Sequence, residues 1–208
     1  MELISLGGPV VVVLIAISII GLTIVLYKLL QLRHYSRGKL DGARKAVDAW
    51  VTGDRESARE SLERQKTPVA ELLCNGMSLL STSGERKDVV EQQVREELTR
   101  QGQQIVSRVN AMNSFIELIA YLSPMMGLLG TVLGMIDVFY GLANEGGGSD
   151  AGVLAGGIWE ALLTTAVGLT VAIPFAVIHA MLESKATGVR EVMEDQLTRL
   201  FTANLAAR

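Results

Sequence analysis

The side chains able to do chemistry in this sequence stand inside apolar stretches. Glu160 lies within Gly157-Ile158-Trp159-Glu160-Ala161-Leu162-Leu163-Thr164-Thr165. A carboxylate in a bilayer-crossing helix costs about 2.5–3.5 kcal/mol on insertion scales. Such a group is expected to face a helix-bundle interior or a water-filled path, so Glu160 is read as functional. Asp137 is a second acid in similar surroundings, and Thr131 and Thr165 add two hydroxyls. A hydroxyl both donates and accepts hydrogen bonds, which suits it to hold water or relay a proton. Two acids and two hydroxyls among apolar residues point to a polar, water-accessible path through a helix assembly.

Other chemistry finds no support. His34 and His179 lack the acidic or cysteine companions of a metal site or hydrolytic triad, and Ser123 has no histidine in a recognisable motif. No glycine pattern resembles a nucleotide-binding loop. Cys74 is the only cysteine, so no intrachain disulfide forms, and it reads as a small apolar residue. The run Arg95-Glu96-Glu97 reads as a solvated face, and Glu117 as interfacial. No enzyme activity, cofactor, metal or nucleic-acid partner is expected.

The elements that must position these residues are helices. Of 208 residues 49% are hydrophobic, yet aromatics make up only 5% while glycines number 21, a balance that suits packed membrane helices. Three stretches reach the roughly 20 apolar residues a span requires: about Pro9 to Leu30, Leu118 to Ala143, and Val153 to Leu182. The first follows only Glu2, without a positive n-region, and is longer than a signal-peptide core, so it reads as a retained anchor. Lys28, Arg33, Arg37, Lys39, Arg44 and Lys45 follow the first span, and Lys185 and Arg190 the third. The N-terminal tail and the loop 144–150 hold no Lys or Arg, so both are placed outside.

The expected fold is thus an all-α integral membrane protein. Three transmembrane helices carry long cytoplasmic helical extensions, with the N-terminus outside and the C-terminus cytoplasmic. Residues 1–30 form the tail and first span, and 31–112 a cytoplasmic helical region. Residues 113–182 form a transmembrane hairpin, and 183–208 a cytoplasmic C-terminal helix.

Within 31–112, residues 39–65 read as one amphipathic stretch with Val47, Trp50 and Val51 on one face. Thr67-Pro68 reads as an N-cap and first helical residue, and Ser83-Gly84 as an interruption. Val90, Val94, Leu98, Ile105, Val109 and Met112 recur at helical spacing. With no strong breaker before Pro124, that helix is expected to run unbroken into the second span. Val189, Val192, Met193, Leu197 and Leu200 continue the third span as an amphipathic helix able to pack on it.

The loop is centred near Gly148, so residues equally distant from it share a depth. Thr131 and Thr165 are both 17 positions away, and Asp137 and Glu160 are 11 and 12 away. The acids form one level and the hydroxyls a deeper one, roughly 18 Å from the outer helix ends at about 1.5 Å per residue. Asp137 and Glu160 are expected to interact and share a proton at an outer vestibule. Gly127, Gly130 and Gly134, and Gly157 and Gly168, stand among small residues at helix-contact spacing. Pro174 removes one backbone hydrogen bond and can kink the third helix.

Ser123-Pro124-Met125-Met126-Gly127-Leu128-Leu129-Gly130-Thr131-Val132-Leu133-Gly134-Met135-Ile136 resembles the second span of the MotA/TolQ/ExbB proton-channel family. Residues Gly157 to Pro174 resemble its third span, and the likeness covers roughly residues 110–185. A single span before the charged segment looks like ExbB and TolQ. The resemblance implies a homopentamer around a dimer of an ExbD- or TolR-like single-span partner carrying a membrane aspartate. It also implies a bacterial inner membrane, and ion-driven work passed to a TonB- or TolA-like protein. The family's polar-pathway residues map onto Glu160, Thr165 and Thr131, while Asp137 departs from its usual uncharged residue. The runners-up are a stator for motility, driven by protons or sodium, and a passive oligomeric scaffold in the lipid bilayer.

Overall fold

The computed structural model describes residues 8–32, 37–82, 87–144 and 151–206. These residues form helices α1 (Gly8–Leu32), α2 (Arg37–Val51), α3 (Arg55–Glu63), α4 (Pro68–Thr82), α5 (Lys87–Asn110), α6 (Asn113–Asn144) and α7 (Ala151–Ala206). Three of them, α1, α6 and α7, are long and apolar enough to cross a membrane. Ser83-Gly84, His34, Glu2 and the loop residues 145–150 lie outside the described residues.

The chain divides into two compact units, one of Met1–Tyr27 with Met112–Leu182, the other of Lys28–Ala111 with Glu183–Arg208. In the first, α1 buries Val10, Val11, Leu14 and Val25 at three- and four-residue steps. Its Gly21 lies against the Phe175 ring and Ile119, so closely that a Cβ would sit 2.5 Å from Phe175 Cζ. The outward side chains are apolar instead of charged: Leu22, Leu26, Leu128, Ile136, Leu162, Ile173 and Val177 are each more than half exposed. That is the surface of a unit whose solvent is hydrocarbon. Exposed aromatics mark both ends of the pair α6–α7, Phe115 and Tyr121 at one, Phe139, Tyr140 and Trp159 at the other. Amphipathic rings of this kind collect at the two membrane–water interfaces.

The second unit has a conventional small-helix core. Thr67 caps α4 by accepting a hydrogen bond from the Ala70 amide (3.2 Å), and Asp54 caps α3 by accepting one from Ser57 (3.2 Å). The tail of α7 buries Val189, Val192, Met193, Leu197 and Leu200. Gly102 of α5 takes the Met193 side chain, and Gly76 of α4 takes Leu98 and Leu200. Arg95 stacks 4.6 Å over the Phe201 ring.

Three expectations about this unit are corrected. Residues 39–65 form two helices, because Thr52-Gly53-Asp54 turns the chain with Gly53 at φ +96°. Val47 and Trp50 are buried, but Val51 is 47% exposed and leaves their face. The helix through Val94, Leu98, Ile105 and Val109 does not run into the second span. It ends at Asn110, Met112 adopts φ +65° and is exposed, and α6 begins afresh at Asn113. Ending a helix frees its last carbonyls. Fully buried Lys28 donates to the Val109 carbonyl, and Gln31 donates to that of Arg108. A cation at a helix C-terminus is favourable on both hydrogen-bond and dipole grounds.

Candidate ion-path edge

The geometry of α6 on α7 is set by small residues. A Cβ on Gly127 would meet the Thr164 carbonyl oxygen at 2.9 Å and Thr165 Cα at 3.0 Å. One on Gly130 would strike the Thr164 hydroxyl at 2.6 Å, and one on Gly134 would come within 3.0 Å of Ala161. From the other side, a Cβ on Gly168 would stand 2.6 Å from the Ser123 carbonyl oxygen, and one on Gly157 would strike the Val138 side chain. Backbones this close leave little apolar area to bury, so contact is held by dispersion and hydrogen bonds. The hydroxyls of Thr164 and Thr165 both reach the Gly127 carbonyl, at 3.0 and 3.2 Å. Thr164 also lies 2.7 Å from the Ala161 carbonyl and is buried.

Thr164 is the residue that sequence reasoning passed over. Its signal was present, since it stands three after Ala161 and four before Gly168 in the row of small residues. Thr165, one position on, is only half-buried. Thr131, also half-buried, donates to Leu128 of its own helix at 2.7 Å. Thr131 and Thr165 therefore do not bond each other.

These contacts fix the rotation of both helices. At about 100° per residue, Thr131 lies roughly 60° to one side of the Gly127–Gly130–Gly134 contact line and Asp137 roughly 60° to the other. On α7 the same construction puts Thr165 and Glu160 on opposite sides of the Gly157–Ala161–Gly168 line. Because the helices are antiparallel, the two threonines share one edge of the hairpin and the two acids share the other. α1 meets the acid edge at one point, where a Cβ on Gly8 would stand 3.5 Å from Glu160 Oε1. Asp137 and Glu160 are both exposed, and neither has a hydrogen-bond or ion-pair partner among the described residues. Glu160 is thus not brought together with Thr165. Pro174 lies within α7, which continues on both sides of it. Among the described residues no group of His, Cys, Asp and Glu could hold a metal ion.

The pattern of the MotA/TolQ/ExbB proton channel family matches residues 64–195. The chain is 49% identical over 59 residues to the biopolymer transport protein exbB1 of Vibrio cholerae, covering 28% of this chain and 26% of that protein. It is 45% identical over 67 residues to the biopolymer transport protein ExbB of Salmonella typhimurium, covering 32% and 27%. A putative ExbB homolog of Methanothermobacter thermautotrophicus matches at 27% identity over 175 residues, 83% of this chain and 59% of that protein. The chain thus spans about a quarter of the length of the first two and under two thirds of the third.

Proposed function

The chain belongs to the MotA/TolQ/ExbB proton channel family, and from that premise we propose that it is an ExbB-like subunit of an inner-membrane, ion-driven motor. Its three spans and the family make it a multi-pass membrane protein. In this reading the threonine edge lines the ion path, with Thr131 and Thr165 holding water or relaying the ion. Glu160, with Asp137 near it, sets the charge at the outer mouth. The central titrating acid comes from a single-span ExbD- or TolR-like partner inside a pentamer of this chain. In this reading the second unit is cytoplasmic and the N-terminus outside, which the positions of the Lys- and Arg-rich segments support.

The observation that carries the reading is the sidedness of the hairpin. α1 meets one edge at Glu160, and the other edge holds two half-buried hydroxyls at mid-depth among lipid-type residues. Both hydroxyls donate to helix carbonyls and keep lone pairs free to accept from water or a partner. One charge moving through 100 mV releases about 2.3 kcal/mol, so a few ions suffice to offset a helix-repacking step.

The test is reconstitution of the complex with its partner, reading ion-dependent work. Thr165→Ala and Glu160→Ala are expected to abolish coupling while leaving assembly intact. A passive scaffold would keep both assembly and behaviour unchanged in either variant, and that result sinks the motor reading.

A further inference from the structure

Glu117 and His179 enter none of the roles above, yet the structure brings them together. His179 Nε2 stands 3.9 Å from Glu117 Oε2, and the side chains are 19% and 65% exposed. Their position along the hairpin is specific. Glu117, Pro124 and Thr131 are spaced seven apart on α6, and Thr165, Ala172 and His179 seven apart on α7. In helices packed side by side, steps of seven residues return to the same edge. The pair therefore ends the threonine edge, roughly 21 Å below the two hydroxyls at about 1.5 Å per residue. It lies at the end of the hairpin opposite Glu160. The row between carries no polar side chain: Ala172 is buried and contributes only a methyl group, and Pro124 has no N–H to occupy the Ala120 carbonyl.

We propose that Glu117 and His179 are a proton-transfer pair at the inner end of the path, a site that rests on the ion-path reading above. A proton arriving along the edge bonds to the free ring nitrogen of neutral His179, giving an imidazolium held by the Glu117 carboxylate. The imidazolium then gives the proton on Nε2, the nitrogen that faces the exposed carboxylate, to water there, which leaves a neutral ring in its other tautomer that a ring flip resets. Histidine suits the task because its charge changes near neutral pH. The other titratable groups around it are few. Tyr121 stands one turn from Glu117 on α6, Glu183 follows His179 by one turn on α7, and the α1 segment of this unit offers only Tyr27.

The experiment uses the full chain, purified with the partner subunits that accompany it, in vesicles loaded with a pH dye and driven by a potassium diffusion potential. At low buffer concentration His179→Gln is expected to slow proton flux by about a hundredfold, the lower range for a positioned proton-transfer group. Millimolar imidazole should restore most of it, which no merely structural role would allow. Glu117→Gln, at an exposed position, keeps the fold and should change the pH profile of the flux as the imidazolium loses its anion. Wild-type flux in His179→Gln, a loss that imidazole fails to restore, or a Glu117→Gln profile superimposable on wild type overturns the inference. Thr165→Ala separates the layers. If it stops flux while His179→Gln does not, the pair alone is refuted. If it carries full flux, the path reading falls and the pair with it.

Discussion

Gly168→Ala tests the close approach of α6 and α7. The added methyl carbon would stand 2.6 Å from the Ser123 carbonyl oxygen, where ordinary contact begins at 3.4 Å, so the pair must open by about 0.8 Å. Backbone is the obstacle, and no rotamer change relieves it. Opening by that amount carries the Thr164 and Thr165 bonds to Gly127 from 3.0 and 3.2 Å past hydrogen-bond range. Interhelical hydrogen bonds in membranes contribute about 0.6 kcal/mol each, and overpacking costs about 1–3 kcal/mol. Alanine's better helix preference returns about 1 kcal/mol. The net expectation is a loss of about 1–3 kcal/mol. Gly156→Ala on the same helix is the control, since a Cβ there meets nothing within 4 Å, and it should gain up to about 1 kcal/mol. Unfolding in mixed micelles by titration with sodium dodecyl sulfate, followed by circular dichroism, reads both. Gly168→Ala equal to or more stable than Gly156→Ala would refute the close-contact reasoning.

Lys28→Met keeps the apolar stem but leaves the buried Val109 carbonyl without its donor, and should cost about 1–3 kcal/mol in the same titration; an unchanged midpoint counts against the cap. Gly21→Ala should destabilise through its clash with the Phe175 ring, and Phe175→Leu should recover part of the loss in a double-mutant cycle; strict additivity would show the two do not touch. Glu97 is held down to about 2 by hydrogen bonds from Arg100 and Gln101. A carboxyl whose folded value is depressed contributes stability that is fully present above the unfolded value of 4.5 and is lost as pH falls through about 2. Wild type should therefore exceed Glu97→Gln in stability above pH 4.5, with the gap closing toward pH 2; a gap independent of pH removes the assignment.

Hydropathy made the three spans legible, and Thr67-Pro68 announced the start of α4, because both signals are local. The end of α5 was not legible. Asn110-Ala111-Met112-Asn113 contains neither Gly nor Pro, and a positive φ at Met112 is a conformation that non-glycine residues rarely adopt. The compensation comes from Lys28 and Gln31, 81 and 77 residues away in sequence, which no local window sees. Depth in the hairpin follows from counting outward from the loop, but lateral position needs the contact line. Glycine spacing alone also misleads: Gly141 and Gly156 have nothing within 4 Å of a Cβ, whereas Gly130 and Gly168 are tightly enclosed. Thr164 and Thr165 differ by one position in sequence, and only packing makes one structural and the other an edge residue.

The cap on α5 also has a place in time. Lys28 sits near the end of α1, but its acceptor Val109 is 81 residues downstream. At about 5–20 residues per second, the ammonium waits roughly 4–16 s for a partner during synthesis. Throughout that interval the first helix carries an unpaired charge at its end, which holds that end at a watery boundary. Lys28 therefore acts first as a stop for the nascent helix and only later as its fastening, so its loss should disturb insertion depth before it disturbs the finished fold.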